Sequence, residues 1–127
     1  MRMTGQRKAI LETLEGDTSH PTADQVYHRV KEALPHISLG TVYRNLKLLS
    51  EAGHILEIEI ADGPNRYDPR TEHHYHFQCE GCGQMLDVDL PFQQCLHDAL
   101  ARAGFQVRGH DIQFSGLCPP CAGAGAN

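Results

Sequence analysis

The fold of the first half of the chain is decided by residues 38–53, Ser38-Leu39-Gly40-Thr41-Val42-Tyr43-Arg44-Asn45-Leu46-Lys47-Leu48-Leu49-Ser50-Glu51-Ala52-Gly53. Val42, Leu46 and Leu49 recur there at helical spacing. The stretch opens on a serine, a good helix cap, and closes on a glycine of the kind that often follows a helix. It therefore predicts a third helix from Ser38 to about Ala52.

Two shorter helices are predicted before this one. Apolar residues at helical spacing indicate a first helix over residues 6–15, capped by Thr4. A second helix is expected from Thr22, where Gln25 completes a capping box, to Pro35. Three short helices with tight connections are typical of a helix-turn-helix core.

A β-hairpin is predicted directly after the third helix. Residues 54–60 alternate apolar and acidic side chains, Asp62-Gly63 is a turn signal, and Asn65-Arg66-Tyr67 forms the returning strand. A hairpin joined to a three-helix core makes a winged helix-turn-helix. We therefore assign residues 1–68 to a winged-helix domain that binds DNA and residues 69–72 to a hinge.

The second half, residues 73–127, is predicted to be an α/β domain for dimerisation and metal binding. Strands are expected at residues 75–79, 85–89, 105–107 and 111–114, with a helix from Pro91 and a disordered tail from Ala122. The inward positions of that helix are expected to be Phe92, Leu96, Leu100 and Ala103. The whole chain is thus expected to be an α+β protein.

Two Cys-x-x-Cys pairs in the second half predict a zinc site. Cys79/Cys82 and Cys118/Cys121 supply four thiolates, a closed tetrahedral set that suits structural zinc. The alternative is a pair of redox dithiols or disulfides, which a reducing compartment disfavours. Cys95 is left over, as a buried or partly exposed thiol of its helix.

A second group of candidate ligands offers nitrogen and oxygen donors. His74 and His76 would share one face of a strand, Asp68 ends the hairpin, and Asp87 lies on the neighbouring strand. His20 would join them from the loop between the first two helices. Such donors suit Fe(II), Mn(II) or Zn(II). The alternatives are a loop or capping role for His20, which composition alone favours, and solvent-facing strand positions for the other two histidines.

The composition and charge of the chain indicate which classes of protein it can belong to. The formal net charge is −5, but residues 1–52 hold seven Lys/Arg against six Asp/Glu, whereas residues 53–127 hold four against ten. The near-neutral first half can still present a basic face to nucleic acid. The chain contains no signal-peptide pattern and no apolar run of membrane length, so we expect a cytoplasmic protein that does not enter membranes.

The order of these motifs resembles the Fur family of bacterial metal-dependent repressors. His20–Tyr27 is similar to that family's second-helix motif, and Ser38–Leu46 is similar to its recognition helix. A winged helix, a hinge, a His-Tyr-His cluster and two Cys-x-x-Cys pairs follow the family's order over residues 4–121. The resemblance implies a transcriptional repressor rather than an enzyme.

Within that family the chain resembles the peroxide-sensing branch, PerR, in which three His and two Asp hold a regulatory Fe(II) or Mn(II) beside the structural zinc. The resemblance puts those ligands on His20, Asp68, His74, His76 and Asp87. It implies that peroxide oxidises His20 and His74 when iron is bound, so that the metal and the DNA are released. Mn(II) is expected to occupy the same site without reacting.

Three positions depart from the iron-sensing branch of the family. Asp87 stands where that branch usually has Glu, Tyr75 replaces a carboxylate of another site, and a Gln near position 94 stands where a Glu is expected. These departures favour the peroxide-sensing branch. They also argue against a further regulatory site at His73 and His110.

DNA contacts are expected from the third helix, which exposes Thr41, Tyr43, Arg44 and Lys47 opposite its apolar stripe. Arg44 can pair with guanine and Tyr43 can pack on a thymine methyl, whereas Lys47 would meet a phosphate. The alternative is an ordinary solvated helix face. A two-fold homodimer would predict a palindromic operator in double-stranded DNA.

Three functions stay open at this point. The first is a peroxide-sensing repressor, and the second is a Fur-type sensor of iron, manganese or zinc levels on the same scaffold. The third is a metalloenzyme that uses the His/Asp site for hydrolysis or oxygen chemistry. The sequence has no evident general-base motif and no Gly-x-Gly-x-x-Gly loop to support an enzyme. A thiol oxidoreductase is weaker still, because one zinc explains both Cys pairs.

Overall fold

The computed structural model describes residues 2–72 and 74–125. The chain divides into two compact units, Met1–Glu72 and His73–Asn127. Described elements of the first unit are three helices and a two-stranded hairpin, and those of the second are a three-stranded sheet and two helices. The mixture confirms the expected α+β class. None of the helices in the described ranges has the length and apolar character needed to span a lipid bilayer.

The three helices of the first unit begin where the sequence predicts their caps. Their bounds are Gly5–Leu14 for α1, Ala23–Ala33 for α2 and Leu39–Glu51 for α3. The hydroxyls of Thr4, Thr22 and Ser38 each accept a main-chain N–H from the residue three positions on. Gln25 completes the capping box of α2. These bonds satisfy donors that have no partner inside the helix, so the caps fix the helix starts.

An apolar core lies among these helices and residues of the hairpin segment that follows them. Its buried members are Ile10, Leu14, Ala23, Val26, Val30, Ile37, Val42, Leu46, Leu49, Ile55 and Tyr67. The predicted inward stripe of α3 is confirmed, because Val42, Leu46 and Leu49 have no exposed surface. The packing of this stripe determines which side of α3 faces away from the core.

The hairpin after α3 consists of β1, Leu56–Ile58, and β2, Arg66–Asp68, paired antiparallel. Gly53 allows the chain to leave α3 sharply, since its φ of +83° suits glycine better than other residues. Across the hairpin, the hydroxyl of buried Tyr67 donates to Glu57 Oε1 at 2.9 Å. Burial and then this bond raise the pKa of Tyr67 well above its ordinary value. The phenol therefore stays neutral and joins the two strands.

The sheet of the second unit is built around β3. Its strands are β3, Tyr75–Cys79, β4, Met85–Val88, and β5, Gln113–Gly116, and its helices are α4, Gln94–Arg102, and α5, Pro119–Gly125. β3 pairs antiparallel with β4 and parallel with β5. The register puts His76 opposite Asp87 and Cys79 opposite Gly116. Strand pairing thereby sets the positions of three candidate metal ligands, His76, Asp87 and Cys79.

Three expectations for the end of the chain are wrong. Residues 105–107 form no strand, the last strand begins at Gln113 rather than Asp111, and Ala122 lies inside α5 instead of a disordered tail. The length of β5 follows from its parallel pairing with β3, which a single-strand pattern does not reveal. Pro119 suits the first turn of a helix because it has no N–H to leave unpaired.

The predicted burial of the α4 face is also wrong. The helix begins at Gln94 rather than at Pro91, and Phe92, Leu96 and Leu100 are 44%, 43% and 44% exposed. The helical spacing of these apolar residues is present, but no α4 residue is buried. An apolar face of this kind on a single chain is typical of an interaction surface.

Replacing Leu46 by Ala should lower the free energy of unfolding by about 2–5 kcal/mol, because it opens a cavity beneath α3. Leu39→Ala on the same helix is the matched control, since Leu39 is 37% exposed. It should change stability by no more than about 0.5 kcal/mol. Urea unfolding followed by circular dichroism measures both, and equal effects would contradict the assigned inward face.

Candidate metal centres and recognition helix

The four cysteines expected to bind zinc come together in the second unit. Cys79 ends β3, Cys82 lies in the turn to β4, Cys118 precedes α5, and Cys121 lies within it. Their sulfur atoms all lie within 4.8 Å of one another. The Sγ atoms of Cys82 and Cys118 are 3.8 Å apart, well beyond the disulfide bond length of about 2.0 Å. The cluster therefore consists of free thiols that point at one centre.

Main-chain donors favour a thiolate inside this cluster. The N–H groups of Cys118 and Cys82 each lie 3.4 Å from Cys79 Sγ. These bonds, the one from Cys118 first, lower the pKa of Cys79 to about 6. The hydrogen bond between Cys121 and the Cys118 side chain instead raises the pKa of Cys121 to about 12. These opposite shifts of Cys79 and Cys121 show that the sulfur atoms interact, and a bound zinc ion would favour the thiolate form of its ligands.

Gly81 allows the two Cys-x-x-Cys turns to approach each other. A Cβ at this position would lie 3.1 Å from both Cβ and Sγ of Cys121 and 3.3 Å from Leu117 Cδ2. Any larger residue would push the second pair away from the first. Sequence reasoning missed this role, and the only signal for it is a glycine between two candidate ligands.

In the first unit, His20 and Asp68 form a buried pair. Nε2 of His20 lies 3.1 Å from Oδ2 of Asp68, and the two side chains are 1% and 2% exposed. His20 lies between α1 and α2 with a φ of +54°, which is uncommon for a residue other than glycine. Asp68 ends β2, and its Oδ1 accepts the N–H of Arg70 at 2.9 Å. An imidazole nitrogen and a carboxylate oxygen are thus held side by side.

In the second unit, His74, His76 and Asp87 form a triad of donors. Oδ1 of Asp87 lies 2.9 Å from Nε2 of His74 and 3.5 Å from Nε2 of His76. Strand pairing accounts for this contact, because His76 on β3 faces Asp87 on β4 directly. Each of the three residues offers a ligand atom within 4.8 Å of the others. The five expected regulatory ligands thus occur as a pair in one unit and a triad in the other.

A separate histidine cluster lies beside β3. His97 Nε2 is 2.5 Å from His110 Nδ1, and His110 Nε2 is 2.7 Å from the hydroxyl of buried Tyr75. The Phe92 ring centroid lies 4.7 Å from that of His110. His97 is half-buried and packs against the Phe92 ring as well. His73, which the sequence analysis considered with His110, lies outside the described residues.

The recognition helix α3 exposes most of the residues expected to contact DNA. Tyr43 is 43% exposed, Arg44 and Lys47 are exposed, and Thr41 is half-buried. Thr41 Oγ1 lies 2.8 Å from Ser38 Oγ and 3.4 Å from a guanidinium nitrogen of Arg44. Thr41 therefore supports the helix start and the Arg44 side chain, which leaves the three longer side chains as the outer surface.

Comparison with known proteins assigns the chain to a family. Residues 1–115 match the model of the Ferric uptake regulator family. The peroxide operon regulator of Bacillus subtilis (strain 168) is 37% identical over 123 residues, which cover 96% of this chain and 85% of that protein. The peroxide-responsive repressor PerR of Staphylococcus aureus (strain USA300) is 35% identical over 122 residues, 95% of this chain and 82% of that one.

A solved structure agrees with this assignment. A zinc-bound manganese uptake regulator matches with a TM-score of 0.68 and 34% identity, over 93% of this chain and 91% of that one. The chain therefore belongs to the Ferric uptake regulator family, and it is a DNA-binding transcriptional regulator rather than an enzyme. The resemblance inferred from the order of its motifs is confirmed.

Replacing Cys118 by Ser should remove zinc from the purified protein and unfold the second unit. Structural zinc contributes about 10–16 kcal/mol to the folding of small zinc domains, so loss of a ligand has a large effect. Cys95→Ser is the matched control, because Cys95 is an exposed free thiol outside the cluster. Elemental analysis and near-ultraviolet circular dichroism measure both variants. A Cys118→Ser protein that stays folded without zinc would contradict the structural role.

Proposed function

We propose that this chain is a metal-dependent DNA-binding repressor that senses hydrogen peroxide through iron-catalysed oxidation of its own histidine ligands. The observation that carries the proposal is the donor geometry of the triad, in which one Asp87 oxygen lies within 3.5 Å of Nε2 of both His74 and His76. The buried pair of His20 and Asp68 offers two further donors of the same chemical kind. The two curated relatives, both named for peroxide, support the same function.

The donors fit the proposed regulatory metal. Imidazole nitrogens suit Fe(II), and carboxylate oxygens suit Mn(II). The five candidate ligands include no thiolate, the ligand type that selects softer metals. We infer that the pair and the triad together hold one ion. Five protein ligands would leave room for a sixth, external ligand on a metal that favours six-coordination. Bound Fe(II) would lend one electron to break the O–O bond of peroxide and would recover it as the imidazole is oxidised, so that iron is a catalyst in the net reaction, whereas Mn(II) would not do so readily.

His20 and His74 are the proposed oxidation targets. In the net reaction one peroxide oxygen becomes bonded to an imidazole ring carbon, giving 2-oxo-histidine, and the other leaves as water. The imidazole loses two electrons and peroxide gains them. An oxidised ring is a poorer ligand, so the metal would dissociate. Because His20 and His74 belong to different units, loss of the metal would remove a restraint on how the two units are held.

The proposed DNA partner is a palindromic operator bound by a homodimer. On α3, the exposed Tyr43, Arg44 and Lys47 offer an aromatic ring and two cations for base and phosphate contacts. The uncovered apolar face with Leu96 and Leu100 supports self-association through the second unit. A two-fold dimer would read two inverted half-sites. Operator binding would take place in the cytoplasm.

A second candidate is a sensor of metal levels without peroxide chemistry. The same donors bind Fe(II), Mn(II) or Zn(II), and the solved relative at 34% identity is named a manganese uptake regulator. The two functions share the fold, both metal sites and the DNA surface. They differ only in whether a histidine ligand is oxidised, so the experiment must detect that modification directly.

Brief peroxide treatment of the Fe(II)-loaded protein should add one oxygen to the peptide that contains His20 or His74. The Mn(II)-loaded protein is the control and should remain unmodified. Peptide mass spectrometry locates the added oxygen, and a gel-shift assay of the same samples reports DNA binding. If iron-loaded protein keeps unmodified histidines and its metal-dependent DNA binding, the peroxide function is wrong and the metal-level sensor replaces it.

Replacing Asp87 by Glu should preserve Mn(II)-dependent DNA binding but slow the peroxide response. The longer side chain has to move the carboxylate oxygen that now lies within 3.5 Å of Nε2 of both His74 and His76. We expect oxidation at least about tenfold slower, because a displacement of about 1 Å in a reacting site can cost up to about 100-fold in rate. Asp89→Glu on the same segment is the matched control, since Asp89 is exposed. An unchanged oxidation rate in Asp87→Glu would remove the link between Asp87 and peroxide sensitivity.

A further inference from the structure

The loop that carries His20 is held by the second strand of the hairpin. A guanidinium nitrogen of Arg66 donates to the main-chain carbonyl oxygen of His20 at 3.1 Å. The next residue, Tyr67, donates its N–H to the carbonyl oxygen of Pro21 at 2.9 Å. Thr22 and Arg66 also form an isolated antiparallel bridge. Consecutive loop residues are therefore tied to the strand that ends in Asp68.

The conformation held in this way is a strained one. His20 has a φ of +54°, in the left-handed region where a side chain crowds the main chain. Pro21 adds a further restriction, because a proline limits the main-chain angles of the residue before it. Such a conformation persists only where surrounding contacts enforce it. The Arg66 bond acts on the His20 peptide itself, so it is one of those contacts.

We propose that Arg66 is a positioning residue for the regulatory site. Its guanidinium fixes the His20 main chain so that Nε2 of His20 lies beside Oδ2 of Asp68. Arg66 is itself no ligand; it sets the affinity of the His20/Asp68 pair for the metal and the exposure of His20 to oxidation. The part that concerns oxidation rests on the proposed peroxide function, whereas the part that concerns the loop does not.

The test compares Arg66→Met with Arg29→Met in the full-length protein. Methionine keeps much of the apolar stem of the arginine side chain and removes all of that side chain's N–H donors. Arg29 is a matched control, because it pairs with the Asp17 side chain in the same loop between α1 and α2, whereas Arg66 bonds to the His20 carbonyl oxygen. Arg66→Met should weaken Mn(II) binding about 10–100-fold, the range observed when a residue that orients a ligand is removed. Arg29→Met should bind Mn(II) like the parent protein.

A second measurement needs no regulatory metal. In the protein without that metal, the Tyr67 amide should exchange its hydrogen about tenfold faster in Arg66→Met, because the loop that accepts its bond is no longer held. Amides in the core of α3 should exchange at parental rates. Hydrogen exchange by nuclear magnetic resonance measures both. If the chain proves not to sense peroxide, the faster Tyr67 exchange is still expected. The positioning role of Arg66 and the peroxide function can therefore be disproved independently.

A third measurement separates positioning from general destabilisation. With Fe(II) and peroxide, the ratio of oxidised His20 to oxidised His74 should fall in Arg66→Met, since the bond that this change removes is made to the His20 main chain. Parental values for Mn(II) affinity, Tyr67 exchange and the oxidation ratio would overturn the proposal. The proposal would also be overturned if Arg66→Met lost zinc and thermal stability while the ratio of oxidised His20 to oxidised His74 stayed unchanged. If Arg66→Met does not fold, Arg66→Lys, which replaces the planar fork by one ammonium, should show the same changes at smaller size.

Discussion

Both candidate metal centres of the second unit depend on the register of β3. Its antiparallel pairing with β4 puts Asp87 opposite His76, and its parallel pairing with β5 brings the last Cys-x-x-Cys pair towards Cys79. A strand that lies between two partners has little freedom to slip, because a shift of one residue would turn every side chain to the other face. A zinc ion held by the cysteines would therefore also stiffen the strand that presents the histidines.

In the first unit, the positions of the helices and the hairpin are fixed by contacts other than strand register. Its helices are fixed by side-chain caps and an apolar core, and the hairpin follows α3 after a single glycine-assisted turn. The strand that ends in Asp68 also holds the loop of His20. The buried donor pair is thus attached, through a few hydrogen bonds and short segments, to the element that presents Arg44. The His20/Asp68 pair and the recognition helix therefore belong to one compact unit.

Much of this arrangement could be predicted from the sequence because it depends on local rules. Caps such as Thr22 act over three or four residues, and the spacing of the cysteines reflects the geometry of a tight turn. The errors arise where distant partners decide the outcome. The exposed Leu96 has the spacing of a buried residue, but spacing cannot say whether its cover belongs to the same chain. Arg66 was missed as a support because its partner is a main-chain carbonyl 46 positions away in sequence.

The turn at Gly83 has a consequence for how such a regulator can change over generations. Gly83 has a φ of +76° between the candidate zinc ligand Cys82 and the strand of Asp87. One residue added to or removed from this segment would leave the first cysteine pair intact while turning Asp87 away from His76. Substitutions, by contrast, can exchange the donor atom without moving the main chain. A change of metal preference is therefore expected from exchange of the ligand side chains rather than from a change in the length of this segment, because the length also sets the cysteine cluster beside it.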